Sequence, residues 1–422
     1  MYANALLNFI HSCPCPAVAL RTVEDRLTVA GYKKADETAV ATLGAGKYYF
    51  TRGGASLIAV CIPEAPKRAV IAAAHTDSPA LRVKMGADRV GAYVTVPVEK
   101  YGGLIPYSWF DRPLSVAGRV MVKAEGGFEE RLVNVDRPLC LIPNPGLYAP
   151  NNQNTGATFN MAKDMLPLLS IGGGENALLE AVAEAGGFSP EKIISHDLIL
   201  YTYDKGTVLG KNEELLSAPR LDDLACAFAA TEAFLTADKT DTLQVLALFD
   251  HEEVGSSTER GADSDFLSRI LSPFLSRGGQ SFMESSLLVS ADNAHAVHPN
   301  HPELSDNAKT PLMGSGIALK WSASHSYTTD ARSAAIFTSI CEKAGVPLQT
   351  YQNRADVRGG STLGSIADTH LGIPAVDIGI PQLAMHAAVE TCARGDVTAM
   401  VNALRASLEA KITKTEQGYK IG

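Results

Sequence analysis

Apolar residues recur along this chain in two rhythms, and the change between them divides it into three parts. Residues 4–12 and 17–31 carry helical spacing, interrupted by Cys13-Pro14-Cys15-Pro16. Short β-favouring runs follow at 48–51 and 57–61, and then the continuous apolar run 69–74 predicts a buried strand. From about Ser78 to Leu209 the pattern becomes short alternating runs between glycines and turn residues, at 90–98, 114–124, 131–135 and 199–203. That texture predicts a β-rich module, with a Gly/Asn-rich loop over 144–156 and a small helical part near 175–186. After Gly210 strand and helix patterns alternate. Helices are expected from about Asp222 to Leu235 and over 259–275, 330–343, 362–370 and 396–408. Strands are expected at 243–249, 285–290, 317–321, 348–352 and 375–378.

This alternation predicts an α/β fold, a mainly parallel sheet with helices on both faces. The simplest organisation is a discontinuous domain, 1–78 and 210–422, with the β-rich segment 79–209 inserted into it. In such sheets functional groups gather beyond the carboxyl ends of the strands.

Ligand-type residues stand at those ends. The run 243–249 empties into Asp250-His251-Glu252-Glu253-Val254-Gly255-Ser256. Adjacent carboxylates repel, so their placement there is explained by a cation or by one of them working as a base. A cap for the next helix is the alternative use. His75, in His75-Thr76-Asp77-Ser78-Pro79, follows the strand at 69–74, and Asp222 stands at a helix start. Asp292 follows the strand at 285–290, and His386 lies past the strand at 375–378. Taken singly, each could be a cap, a turn former or a satisfied histidine. Five at the ends of core elements favour a metal. Two imidazoles and three carboxylates (His75, Asp222, Glu253, Asp292, His386) suit zinc, cobalt or manganese. They suffice for two divalent ions sharing a carboxylate, each ion with an open position. Asp77 is placed to hold an imidazole N–H of the first histidine. His251, His325 and His370 are read as ordinary structural histidines.

Composition narrows the class. A net charge of −9 without a basic block argues against nucleic acid or an anionic membrane as partner. No apolar run reaches the roughly 18 residues that span a bilayer, and the N-terminal stretch lacks the features of a secretion signal. Seven scattered cysteines fit free thiols in a reducing cytoplasm, the expected location.

Five segments, His75-Thr76-Asp77-Ser78-Pro79, Arg220-Leu221-Asp222-Asp223, Asp250 to Ser256, Ser290 to Asn300 and Gln382-Leu383-Ala384-Met385-His386, occur in that order. Together they resemble the M18 family of metallo-aminopeptidases, best known for aspartyl aminopeptidase activity. The resemblance implies that His75 and Asp292 hold one ion, Glu253 and His386 the other, and that Asp222 bridges them. It assigns Glu252 as general base toward a water bridging the metals, with zinc the first choice and cobalt or manganese possible. It also implies peptide substrates with a free N-terminus. The inserted β-rich module would mediate dimerisation, and dimers would assemble into a tetrahedral dodecamer.

An acidic substrate side chain needs cationic or donor-rich surroundings. His295 and Lys320 stand where the family's acidic pocket is expected, with Tyr327 and Arg358 as further donors. Two features depart from the family pattern. The loop 142–152 carries no histidine where many members have one that reaches a neighbouring active site, and Arg358-Gly359 replaces other residues. Arg358 could serve acidic specificity or pair with Asp356. A preference for neutral residues, or an N-acyl amino acid deacylase or carboxypeptidase with Arg354 or Arg358 on the substrate carboxylate, are the rival chemistries. A peptide-binding or assembly-forming protein with a structural metal is the non-enzyme rival, and it leaves Glu252 without a task.

Overall fold

Every residue of the strand Arg68–His75 is buried, as is every residue of Thr242–Phe249, which lies parallel beside it. This pair is the middle of the sheet in a computed structural model that describes residues 2–146, 158–357 and 359–422. Leu287–Ala291 lies parallel to Arg68–His75 on its other side, and Ala375–Gly379 is parallel beyond that. Ile317–Trp321 then pairs antiparallel with Ala375–Gly379, and Leu348–Gln352 closes that edge in parallel. Toward the opposite edge, Ser56–Ile62 is antiparallel to Thr242–Phe249, followed by antiparallel Gly46–Arg52 and the short parallel Lys33–Lys34.

The fold is therefore α/β around a mixed nine-stranded sheet. The mainly parallel arrangement expected holds for its four central strands. The antiparallel pairings have local causes. Gly46–Arg52 and Ser56–Ile62 are joined by a tight turn in which Gly53 and Gly54 take φ of 56° and 66°, and so short a link only permits antiparallel neighbours.

Alternation along the strands feeds two cores. Val70, Ala72, Ala74, Leu246, Leu248 and Val289 point to one face, where they meet residues from Ala3–Ser12, Leu221–Thr236, Ala331–Ala344 and Arg394–Glu409. Ala69, Ile71, Ala73, Val245, Ala247 and Leu288 point to the other, against Phe266–Glu284 and Leu363–Leu371.

A second, all-antiparallel sheet runs in the order Gly127–Asn134, Leu114–Ala124, Ile193–Thr202, Ala80–Val83, Val98–Tyr101. It has its own core, including Leu81, Val116, Val120, Leu198 and Trp109, with Leu178 and Val182 from the helix Ala177–Gly186 packed in. The single strand expected over 90–98 is divided into Arg89–Val90, Val94–Thr95 and the start of Val98–Tyr101. A turn at Gly91 and the missing N–H of Pro97 interrupt it.

The helix expected over 259–275 is Phe266–Glu284. Thr258 Oγ1 accepts the N–H groups of Arg260 and Gly261, so residues 258–264 form side-chain-stabilised turns instead of a first helical turn. The helix then runs past Pro273 and kinks at Gly279. A small sheet of two- to four-residue strands was not foreseen: Thr207–Leu209, Leu215–Ala218, Glu390–Ala393, Pro381–Leu383 and Ala294–His295. Most of the Gly/Asn-rich loop expected over 144–156 lies outside the described residues. All seven cysteines are unpaired, and among the described residues no helix is long and apolar enough to cross a membrane.

Candidate metal centre

His75 ends its strand opposite Phe249, so the carboxyl ends of the two central strands place His75 and the Asp250–Glu253 turn side by side. His251 takes φ of 65° and Glu252–Val254 form one 3₁₀ turn, which turns two successive carboxylates back over the sheet. Asp292 follows Leu287–Ala291, held by its N–H on Ile378 O at 2.9 Å. Asp222 lies at the start of Leu221–Thr236, where the backbone leaves helical values (φ −85°, ψ 107°). His386 stands at φ 68° between Pro381–Leu383 and Glu390–Ala393.

These five side chains converge. Asp222 Oδ1 is 3.7 Å from His75 Nε2, and Asp222 Oδ2 is 3.5 Å from His386 Nε2. Asp292 Oδ1 lies 3.9 Å from His75 Nε2, and Glu253 Oε1 lies 3.5 Å from His386 Nε2. Tetrahedral zinc with bonds of about 2.1 Å holds its ligand atoms roughly 3.4 Å apart, so these spacings suit an ion. Asp222 Oδ1 and Glu253 Oε1 are buried and accept no hydrogen bond, the condition expected of oxygens meant for a cation. Ligand atoms fall into overlapping groups: His75 with Asp222, Asp223 and Asp292; His75 with Glu252 and Glu253; Asp222 with Glu253 and His386. The donor set fits divalent metal.

Charge at the site points the same way. Burial, opposed by His75 and reinforced by Asp292, Asp77 and Asp222, pushes Glu252 up to about 8. Burial and then Asp222 raise Glu253 well above the usual carboxylate range. Burial works against a charge on His75, yet Asp292 and Asp77 hold its imidazole well above the ordinary value. Burial likewise opposes ionisation of Asp292, but Lys320 and His75 keep it low. So many carboxyl groups in one place repel one another until a cation joins them.

Asp77 meets His75 Nδ1 twice, through its main-chain oxygen at 3.0 Å and Oδ1 at 3.3 Å. Its carboxylate also accepts the N–H groups of Glu252 and Glu253, both at 3.1 Å, and the Tyr101 hydroxyl at 2.7 Å. One side chain thus orients an imidazole and fixes the turn that carries both glutamates. Tyr101 gave no signal in the sequence, lying beyond the strand expected over 90–98. The two residues after it approach the site closely. A Cβ on Gly102, whose φ is 66°, would stand 3.0 Å from Glu253 Cβ, and one on Gly103 would overlap the His386 ring. Ile105 N–H then donates to His386 O at 3.2 Å. The sheet built from 80–202 therefore reaches the site through this Gly-Gly strap.

A cleft of about 690 Å³ opens over these groups, lined also by His295, Lys320, Tyr327, Tyr351 and Arg354. His295 is exposed. Lys320 is 2% exposed, with Nζ 3.3 Å from Asp292 Oδ2 and 5.3 Å from the Tyr327 ring centre. Arg358 lies outside the described residues. Asp356 pairs with Arg354 through contacts of 2.6 and 2.8 Å. His251 is satisfied by Thr258 and Arg260, and His370 by Asp263, away from the ligand groups. Sequence reasoning missed Glu390, whose carboxylate accepts the N–H groups of Asp222 and His386; an isolated acid in a four-residue strand has no recognisable pattern.

Known proteins resemble this chain along nearly its whole length. Residues 9–407 match the family described as aminopeptidase I zinc metalloprotease (M18). A probable M18 family aminopeptidase 2 of Clostridium acetobutylicum is 40% identical over 409 residues, 93% of this chain and 94% of that protein. Its counterpart from Mycobacterium leprae is 39% identical over 97% of this chain and 99% of its own. Among solved structures, the one described as the Ape4 and Nbr1 complex superposes with a TM-score of 0.91 at 32% identity, covering 96% of this chain and 85% of that one. The mApe1 dodecamer of S. cerevisiae gives 0.83 at 25% identity, covering 96% and 95%. The chain belongs to the M18 family of zinc metallo-aminopeptidases and is a hydrolase that acts on peptide bonds.

Proposed function

We propose that this aminopeptidase works with two divalent ions bridged by Asp222, with His75 and Asp292 completing one site and Glu253 and His386 the other. The observation that carries the reading is the posture of Asp222, whose two oxygens face two different histidines at 3.7 and 3.5 Å. Zinc is the ion of the family description, and the same ligands accept cobalt or manganese. Bound there, the ions would supply Lewis-acid polarisation of a carbonyl and a water of lowered pKa.

The side chains supply the rest. Glu252 takes the proton of the attacking water and hands it to the leaving amine. Asp77 keeps the His75 Nδ1 edge occupied, so that Nε2 faces the ligands. A carboxylate of the cluster holds the free α-amino group of the substrate, which limits cleavage to the N-terminal residue. His295, Lys320 and Tyr327 form the side-chain pocket, and their positive or donor character supports a preference for Asp and Glu. A neutral preference is the second reading, favoured by the engagement of Lys320 with Asp292.

A panel of Asp-, Glu-, Leu- and Arg-p-nitroanilides with N-acetyl-Asp-p-nitroanilide separates these readings. Asp and Glu are expected to exceed Leu by about tenfold or more in kcat/KM, as discrimination by a polar pocket allows. The acetylated substrate is expected to be inert. Preference for Leu would keep the mechanism and remove the acidic pocket, while cleavage of the acetylated compound would indicate a deacylase. Gly103→Ala tests the strap: crowding of the His386 ring is expected to weaken zinc about tenfold at one of two sites, read by competition with a chelator.

We also propose that 1–78 and 210–422 form the catalytic domain and 79–209 an inserted dimerisation and lid domain, within a cytoplasmic tetrahedral dodecamer. The separate core of the second sheet and the dodecameric state named for the S. cerevisiae relative support this. Light scattering giving a mass near twelve chains is the expected result, and a monomer or lone dimer would reject the assembly.

A further inference from the structure

We infer that Glu390 is a positioning residue that clamps the backbones of two metal ligands, an inference that rests on the reading of Asp222 and His386 as ligands. Glu390 is 1% exposed and opens the strand Glu390–Ala393 beneath the cleft. Its Oε2 accepts the Asp222 N–H at 2.9 Å and its Oε1 accepts the His386 N–H at 2.7 Å. The clamp extends further. Gln382 Nε2 approaches Glu390 Oε1 at 3.4 Å, and Gln382 Oε1 accepts from Asn293 Nδ2 at 2.8 Å. Asn293, the residue after Asp292, also donates to Leu221 O at 2.8 Å. Three buried polar side chains thus tie together the chain segments that carry Asp222, Asp292 and His386.

Such a clamp answers a local need. Helices and strands fix their own backbones by regular hydrogen bonds, but neither Asp222 nor His386 stands in such a stretch. Asp222 departs from helical φ and ψ, and His386 sits in the left-handed region, which residues with a Cβ adopt only under constraint. Buried N–H groups require acceptors. One carboxylate with two oxygens satisfies both at once and so sets the spacing between the two ligands. A glutamine of the same shape cannot, because one of its two ends is an NH₂ group that would face an N–H. Glu390 is not among the residues lining the cleft, so its effect on the reaction passes through the ligands it holds.

The test uses the full chain stripped of metal and titrated with zinc in a competing chelator. Zinc per chain, turnover and the melting temperature of the metal-free protein are followed together. Wild type is expected to bind two ions. Glu390→Gln is expected to bind one of them about 10- to 100-fold more weakly, the usual effect of losing a group behind the ligands. Excess zinc should restore much of its turnover. A purely structural role would instead lower the melting temperature and leave zinc affinity alone, and that result overturns the clamp. If Glu390→Gln does not fold, Glu390→Asp serves: it keeps the charge, but its shorter side chain cannot reach both N–H groups at once. Weakened zinc binding in folded Glu390→Asp supports the clamp, and unchanged affinity overturns it. Fewer than two ions on wild type would reject the dinuclear reading itself, a separate outcome.

Discussion

Glu252→Gln is expected to lower kcat by about 10²- to 10⁴-fold, the range for loss of a general acid–base group, while zinc stays bound at the level of the unaltered chain. Glutamine matches the size of glutamate but cannot take and return a proton. The sharper test is the comparison with its neighbour. Glu253 Oε1 lies 3.5 Å from His386 Nε2 and is buried without a hydrogen-bond partner, as a ligand oxygen would be. Glu252 shares a group only with His75 and Glu253. Glu253→Gln is therefore expected to lose zinc affinity together with activity, and Glu252→Gln to lose activity alone. Both variants keep the main-chain N–H groups that Asp77 accepts, so the turn itself should persist. Parallel loss of zinc in the two variants would reject the division of labour between these adjacent carboxylates.

That division is one that the sequence could not decide by physics, whereas much of the scaffold was legible. Arg68–His75 and Thr242–Phe249 announce themselves because a strand covered on both faces must be apolar at every position. The ligand-type residues are visible for a related reason: polar groups at the end of such a run leave the core abruptly. What was not legible depends on contacts between distant segments. Lys320 stands out as a pocket candidate, but its burial against Asp292 and Tyr327 has no sequence signal. Glu390 has no periodic or motif signal, since its two partners are 168 and 4 residues away. The start of Phe266–Glu284 was misjudged because the Thr258 hydroxyl competes for the backbone N–H groups on which helical spacing depends. The small sheet escaped for want of length, its strands being two to four residues long.

Asp222→Asn is expected to have the larger effect on binding and to expose why the site is built so acidic. Its carboxylate holds its two oxygens 3.7 and 3.5 Å from two different histidines of the candidate centre, with Oδ1 buried and unpartnered. An amide offers one oxygen, so one side of the bridge becomes an NH₂ group pointing at a cation. Zinc is expected to fall from two ions per chain to one or none. With the charge stabilisation of a paired centre gone, worth several kcal/mol, kcat/KM should drop by about 10³- to 10⁵-fold. The metal-free protein should respond in the opposite sense. There Asp222 raises the proton affinity of Glu252, Glu253, Asp223 and Glu390 by repulsion and that of His386 by attraction, and neutralising it relieves four repulsions against the loss of that attraction. The Glu390 contact, which is to the main-chain N–H of residue 222, is retained. The melting temperature is therefore expected to hold or rise without metal and to fall in saturating zinc. Calorimetry in the two conditions reads both signs. Two tightly bound zinc ions with near-normal turnover in Asp222→Asn would reject the bridge, and a lower melting temperature in both conditions would mean that this carboxylate serves the fold more than the metal.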